Sequence, residues 1–320
     1  MMLDSETANP AGLHLAGKRD GMPQGDAASL LRPLKHSLLV ASAARLGLRA
    51  MTRRLERVIF TATTGRSGTK SLASLFSMVP ECVSLHEPWP DMSGDVLRAA
   101  SYGQQELADQ IYRRIKSVNI LRAAVGYRYY FEANHCFVKT FMEQAIADFD
   151  DRIAVVHLVR PTLDVAMSIY QLHEEPGSGL GNSWWLDHRA PTNVIRISRV
   201  LDSDPEYSHP FYKTLWYWYE VEARIAAWRA SMPAVLVARF ETEWLGDRAK
   251  VMRLLGQLGI ECEEERIHIQ PTIEQNRNAR EEQKTVPRLP EEQAREMLER
   301  FRRLLTGRGI DISVLTAGAS

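Results

Sequence analysis

Cysteine is scarce. Cys82, Cys136 and Cys262 are the only three among 320 residues, and they stand too far apart to make a metal-ligand spacing. They read as buried thiols in a reducing compartment rather than as catalytic groups. No run of about 18 apolar residues occurs, so no membrane-spanning helix is expected. The first thirty residues, rich in Gly, Pro, Ala and Asp, hold no signal-peptide hydrophobic stretch, and there is no Asn-x-Ser/Thr sequon. An excess of either charge is also missing: 40 Lys and Arg balance 40 Asp and Glu, leaving no basic field to hold a nucleic acid. A cytoplasmic enzyme fits these absences best.

What remains is ordinary globular material, 45% hydrophobic and 25% charged, enough for one large α/β domain or two small ones. Residues 1–27 read as a disordered tail. Residues 28–56 form a basic segment carrying Arg32, Lys35, Arg45, Arg49, Arg53 and Arg54. Within it Leu38–Met51 suits an amphipathic helix, either docked on the domain or touching a membrane surface peripherally. From residue 57 to about 310, short apolar runs alternate with helical stretches. Strands are expected over Val58–Ala62, Cys82–Leu85, His135–Thr140, Ile153–Val159 and Ala234–Phe240. Helices are expected over Lys70–Ser77, Val96–Val118, Pro161–Leu172, Phe211–Arg229, Arg248–Leu258 and Leu289–Leu305. Strands apolar on both faces and separated by helices imply a central parallel sheet covered on two sides, a three-layer α/β/α fold. Ligands in such sheets bind beyond the carboxyl ends of the strands.

Two of those strand ends carry chemistry. Val58-Ile-Phe-Thr-Ala-Thr-Thr-Gly65-Arg66-Ser67-Gly68-Thr69-Lys70-Ser71 is a strand, a small-residue loop and a helix start. Glycines let backbone N–H groups approach an anion, and the helix N-terminus adds partial positive charge. Arg66 and Lys70 add cations, while Ser67, Thr69 and Ser71 add hydroxyl donors. The helix dipole repels cations at that end, a conflict that an anion would resolve; a plain strand–helix turn is the alternative. The second segment is Ile153–Val159 followed by Arg160-Pro161-Thr-Leu-Asp164-Val-Ala-Met-Ser168. Pro161 suits a first helical position, and Ser168 lies on the same helical face two turns on, about 10 Å along the axis. An arginine and a hydroxyl converging in this way suit a phosphate on an extended ligand.

These segments resemble the sulfotransferase family that uses 3′-phosphoadenosine-5′-phosphosulfate. The first is similar to the family's 5′-phosphosulfate loop, with Gly65 where proline is usual. The second is similar to its 3′-phosphate motif, which gives that role to Arg160 and Ser168. A weaker match is Val235-Leu-Val-Ala-Arg239-Phe240-Glu241, where the resemblance makes Phe240 an adenine-stacking candidate, core packing being the alternative; Thr242 replaces the usual Asp. Gln275 to Arg280 lies where relatives bring a basic loop over the 3′-phosphate, which brings in Arg277 and Arg280. The resemblance thus implies a P-loop-like sulfotransferase domain over residues 57–310. The nucleotide P-loop pattern fails twice, at Thr64 and at Thr69.

Sulfuryl transfer needs positioning and charge stabilisation, which the resemblance assigns to Arg66 on the leaving phosphate, helped by Lys70, with no metal required. A general base must take the acceptor's proton. The family's cytosolic small-molecule branch has Lys-Thr-His; this chain has Lys139-Thr140-Phe141. Lys139 matches and would help bind the transferring group, but Phe141 cannot accept a proton. Glu87, in Ser84-Leu85-His86-Glu87-Pro88-Trp89, is similar to the glutamate base of carbohydrate and bacterial branches, with His86 as the alternative. Trp184 and Trp185 lie in a glycine-rich loop that either clamps an acceptor or is anchored in the core. A small-molecule, carbohydrate or lipid acceptor fits, sulfated at oxygen or nitrogen. The competing readings are a P-loop kinase and a non-catalytic nucleotide-binding protein of the same fold.

Overall fold

The computed structural model describes residues 38–269 and 284–316. The expected tail 1–27, together with Arg277 and Arg280, lies outside the described residues. Five parallel strands form the centre: β1 (Arg57–Ala62), β2 (Cys82–His86), β3 (Tyr129–Ala133), β4 (Ile153–Val159) and β5 (Leu236–Glu241), in the order β2-β3-β1-β4-β5. Side chains alternate across the sheet with the period of two that a strand imposes. Val58, Phe60 and Ala62 of β1, with Ile153, Val155 and Val159 of β4, enter one core. Ile59, Ala154, Val156 and Leu158 enter the other. A sheet buried on both faces accounts for the continuous apolar strands.

One helical layer holds α1 (Leu38–Met51), α3 (Asp95–Ser101), α4 (Gln105–Ile111), α5 (Ser117–Ala123), α6 (Met142–Phe149), α7 (Thr162–Tyr170), α8 (Ser198–Ser203), α9 (Pro210–Ser231), α11 (Glu291–Gly307) and α12 (Ile312–Thr316). The opposite layer is α2 (Thr69–Phe76) and α10 (Arg248–Gln257). Helix α1 is docked on the domain, with Arg45 and Arg49 both directed at Asp148 of α6.

Three sequence expectations need correction. His135–Thr140 is not a strand: β3 ends at Ala133, and Phe137–Phe141 is a π-helical turn. Phe137 and Phe141 both pack on Phe60, with ring centroids 4.7 and 5.7 Å away, whereas residues four apart in a strand are separated by about 13 Å, too far to share one ring. Val96–Val118 is not one helix either. It breaks at Tyr102–Gln104, where Gly103 takes φ +81°, and widens into a second π-helical turn over Tyr112–Lys116. Pro161 caps α7 in an extended conformation (ψ 138°) instead of opening its first turn.

The widened turn directs Lys116 inward. Its Nζ lies 2.6 Å from Glu132 Oε1, with side-chain exposures of 1% and 0%. Glu132 also accepts from the Tyr130 hydroxyl at 2.6 Å and from Asn134 Nδ2 at 2.8 Å, and Lys116 donates to the Pro88 carbonyl at 3.1 Å. Removing one partner of such a pair strands the other charge in a medium that solvates it poorly. Lys116→Met is therefore expected to cost about 3–5 kcal/mol in urea unfolding, and adding Glu132→Leu should restore most of that loss. A cost below about 1 kcal/mol for the single change would show that Glu132 reaches water.

Candidate functional site

The sheet order creates a crevice. The connection leaving β1 runs through α2 on one face toward β2, whereas the connection leaving β4 runs through α7 and α9 on the other face toward β5. The chain therefore parts between the carboxyl ends of β1 and β4, and an open α/β sheet binds ligands at such a point. Both sequence motifs end there.

The loop after β1 turns sharply by using positive φ at Gly65 (+82°), Arg66 (+55°) and Gly68 (+82°). Glycine is needed twice for space as well. A Cβ on Gly65 would stand 3.1 Å from the Trp185 ring and 3.2 Å from His135, and one on Gly68 would stand 2.9 Å from Leu245. Gly68 caps α2 and offers no side-chain partner to the first-turn N–H groups, which is the arrangement that accepts an anion. The loop hydroxyls divide. Ser67 Oγ is consumed internally, donating to Gly65 O at 2.9 Å beside Thr64 Oγ1. Thr69 Oγ1 lies 3.0 Å from His86 Nε2. Ser71 is buried, and Lys70 is exposed on the first turn of α2.

The two motifs touch. Arg66 Nε donates to Ser168 Oγ at 2.9 Å, and Arg160 Nη1 donates to the Arg66 carbonyl at 2.8 Å. Arg160 also sits 3.7 Å from Asp164, and its own carbonyl accepts from Trp218 Nε1. Thr242, noted in the sequence only as a departure, is the buckle of this region. Its hydroxyl lies 2.7 Å from the Ser67 carbonyl and 3.0 Å from that of Val159, tying the loop to the end of β4. Phe240 is 1% exposed and set edge-on to Trp244 in the core, so it offers no ring face to a base and the stacking expectation gives way to core packing.

Glu87 ends β2 at φ +46°, a left-handed conformation that costs a non-glycine residue of order 1 kcal/mol. Its N–H continues the ladder to Ala133 O. Glu87 Oε1 lies 3.6 Å from His135 Nε2, and Oε2 lies 4.0 Å from His86 Nδ1. His135 was not among the sequence candidates. Its signal is a histidine two residues past a strand end, hidden because the apolar pattern reads as a strand beginning at His135, six residues after β3 begins. Behind it, Lys139 Nζ lies 2.7 Å from His135 Nδ1 and donates to the Tyr217 hydroxyl at 2.7 Å, while Tyr217 donates to the Thr64 carbonyl of the loop. Burial pulls the Lys139 ammonium down to about 8. Phe141 belongs to the core. Trp185 is buried against Tyr217 and His135, with ring centroids 5.3 Å away in both cases, whereas Trp89, two residues past Glu87, is exposed. His157 is a core histidine, 2.9 Å from Glu222.

Gly68→Ala should destabilise the fold by about 1–3 kcal/mol, because it adds a Cβ at positive φ directly against Leu245. Chemical denaturation measures this, and unchanged stability would show that the loop relaxes freely.

No protein-family model matches the sequence, and no curated protein does. The solved structure of a sulfotransferase from Alicyclobacillus acidocaldarius is similar, with a TM-score of 0.45 and 17% sequence identity, over 81% of this chain and 94% of its own.

Proposed function

We propose that the chain is a sulfotransferase that moves the sulfuryl group of 3′-phosphoadenosine-5′-phosphosulfate to a hydroxyl or amine. The observation that carries this reading is the contact between Arg66 and Ser168 at 2.9 Å. It joins the loop suited to one phosphate and the strand–helix segment suited to another into a single crevice, with Glu87 just past the end of β2, on the far side of β3.

The donor supplies a sulfuryl group already bonded to a phosphate leaving group. The residues of the chain do the rest. Arg66, Lys70 and the first N–H groups of α2 would hold the 5′-phosphate and stabilise the charge that grows on it as the bond to sulfur breaks. Arg160 and Ser168 would hold the 3′-phosphate, Arg66 exchanging Ser168 for the donor. The acceptor oxygen forms the new bond to sulfur and its proton passes to Glu87. Trp89, two residues past Glu87, presents an exposed ring suited to a sugar, an aromatic ring or a lipid chain. Three cysteines without disulfide partners accord with a cytoplasmic setting.

Two measurements test the reading. Adenosine 3′,5′-bisphosphate should bind tightly without magnesium, and Arg160→Ala should weaken it by roughly tenfold to a hundredfold while changing the binding of adenosine 5′-phosphate much less. Preference for magnesium-ATP would instead favour a kinase. With radiolabelled donor and an acceptor library, Glu87→Gln should lower turnover at least about a hundredfold while bisphosphate binding survives. Unchanged turnover would remove Glu87 from the chemistry.

A further inference from the structure

Lys139 is fully enclosed, and its two bonds determine each other's polarity. The Tyr217 hydroxyl proton goes to the Thr64 carbonyl, so Tyr217 accepts from Lys139. An ammonium has no lone pair, so His135 Nδ1, 2.7 Å away, must also accept. A neutral imidazole whose Nδ1 is bare carries its proton on Nε2, and Nε2 is the nitrogen 3.6 Å from the Glu87 carboxylate. We infer that Lys139 is a positioning residue acting through His135: by occupying Nδ1 it selects the Nε2–H tautomer and turns that N–H toward Glu87. The inference rests on the reading of Glu87 as the base.

The consequences follow from charge. A second proton on His135 would have to enter at Nδ1, the nitrogen that the Lys139 ammonium occupies. An N–H facing Oε1 orients the Glu87 carboxylate at the end of β2. The opposite tautomer would aim a lone pair at the carboxylate and repel it. The 3.6 Å separation is longer than a formed hydrogen bond, and sites of this kind tighten when substrate closes them.

The groups facing Lys139 set where the device fails. Cys136 and Tyr217 are both pushed up by burial and remain neutral. Arg224 opposes the ammonium from α9, and Glu87 favours it from the end of β2, while burial is the larger effect. Lys139 therefore holds its charge below about 8 and loses it above. Once neutral it can accept from Nδ1–H, and the tautomer is released.

The test is nitrogen NMR of histidine-labelled, full-length protein between about pH 6.5 and 9.5. His135 Nδ1 should show the resonance of an unprotonated, hydrogen-bonded nitrogen at pH 7 and move toward the protonated type as pH passes Lys139's titration. A protonated Nδ1 at pH 7 in the unaltered protein would overturn the inference, with no variant needed. In Lys139→Met the two tautomers should mix, and kcat should fall at least about tenfold with acceptor KM and bisphosphate affinity unchanged. Lys139→Arg should restore most of kcat and carry the alkaline limit of activity above 9, because a guanidinium keeps its charge there. A Met variant with unchanged kcat and a single tautomer would also reject the idea. If the bisphosphate fails to bind while the tautomer behaves as expected, the sulfotransferase reading falls and the positioning role stands.

Discussion

The geometry of the site depends on the buried pair of Lys116 and Glu132. Neither charge has water, so every polar valence must be met by protein. Glu132 takes donors from Lys116, Tyr130 and Asn134, while Lys116 spends a further proton on the Pro88 carbonyl and lies over the Phe141 ring. Asn134 extends the set: its N–H goes to Thr61, its amide to Asp91 O, and its carbonyl accepts from Cys136 N–H. Four segments are thereby fixed to one another: the end of β1, the end of β3, the turn carrying His135 and the turn carrying Glu87. None of these bonds reaches a ligand, yet without them Glu87 and His135 would have no defined separation. A network this enclosed specifies geometry because partial satisfaction costs more than the intact set.

The crevice has two halves built on opposite electrostatic logic. On the β1/β4 side, Arg160 is held mainly through the Arg66 backbone carbonyl and more loosely by Asp164 at 3.7 Å. A neutral carbonyl orients a guanidinium without cancelling its charge, so the positive potential persists beside the uncapped N-terminus of α2. On the β2/β3 side the charges are enclosed: Lys116 is matched by Glu132, and Lys139 is held by His135 and Tyr217. Anion capture benefits from unspent charge; proton transfer benefits from a fixed tautomer and a fixed carboxylate. Tyr217 joins the halves, donating to the Thr64 carbonyl of the loop and accepting from Lys139, while Thr242 ties that loop to the end of β4 within the first half.

The loop after β1 and the segment after β4 were legible in the sequence because their parts are contiguous: glycines, cations and a helix start follow one strand, and Arg160 through Ser168 follow another. The place of Glu87 just past a strand end was legible for the same reason. The proton half was not. β3 is three aromatics followed by Glu and Ala, and its burial of Glu132 contradicts every composition rule for a central strand; the apolar Phe137-Val138 stretch next to it looked more strand-like and was π-helical. Lys116 was hidden by the same class of irregularity, since a widened turn shifts side chains off the 3.6-residue period on which helix patterns rest. Thr242 gave no signal, because its value lies in two carbonyls far away in the chain. Phe240 misled in the other direction: an aromatic in a matching motif is still a good core residue.

The two buried lysines show how stability and function separate in this fold. Lys116 has a carboxylate at contact distance, so its charge is balanced and its loss would be felt as instability. Lys139 contacts an imidazole and a phenol, neither of which neutralises it, and two aromatic faces at 5.2 and 5.7 Å give only partial compensation. For the fold alone a methionine would fill that space with no ion to desolvate. A group that costs stability where an apolar one would fit is a feature to be explained by the site it touches. Lys139 touches the loop through Tyr217 and the proton pair through His135. A cation at that position links the two halves, because the same ammonium donates to Tyr217, which bonds the loop, and to His135, which faces Glu87.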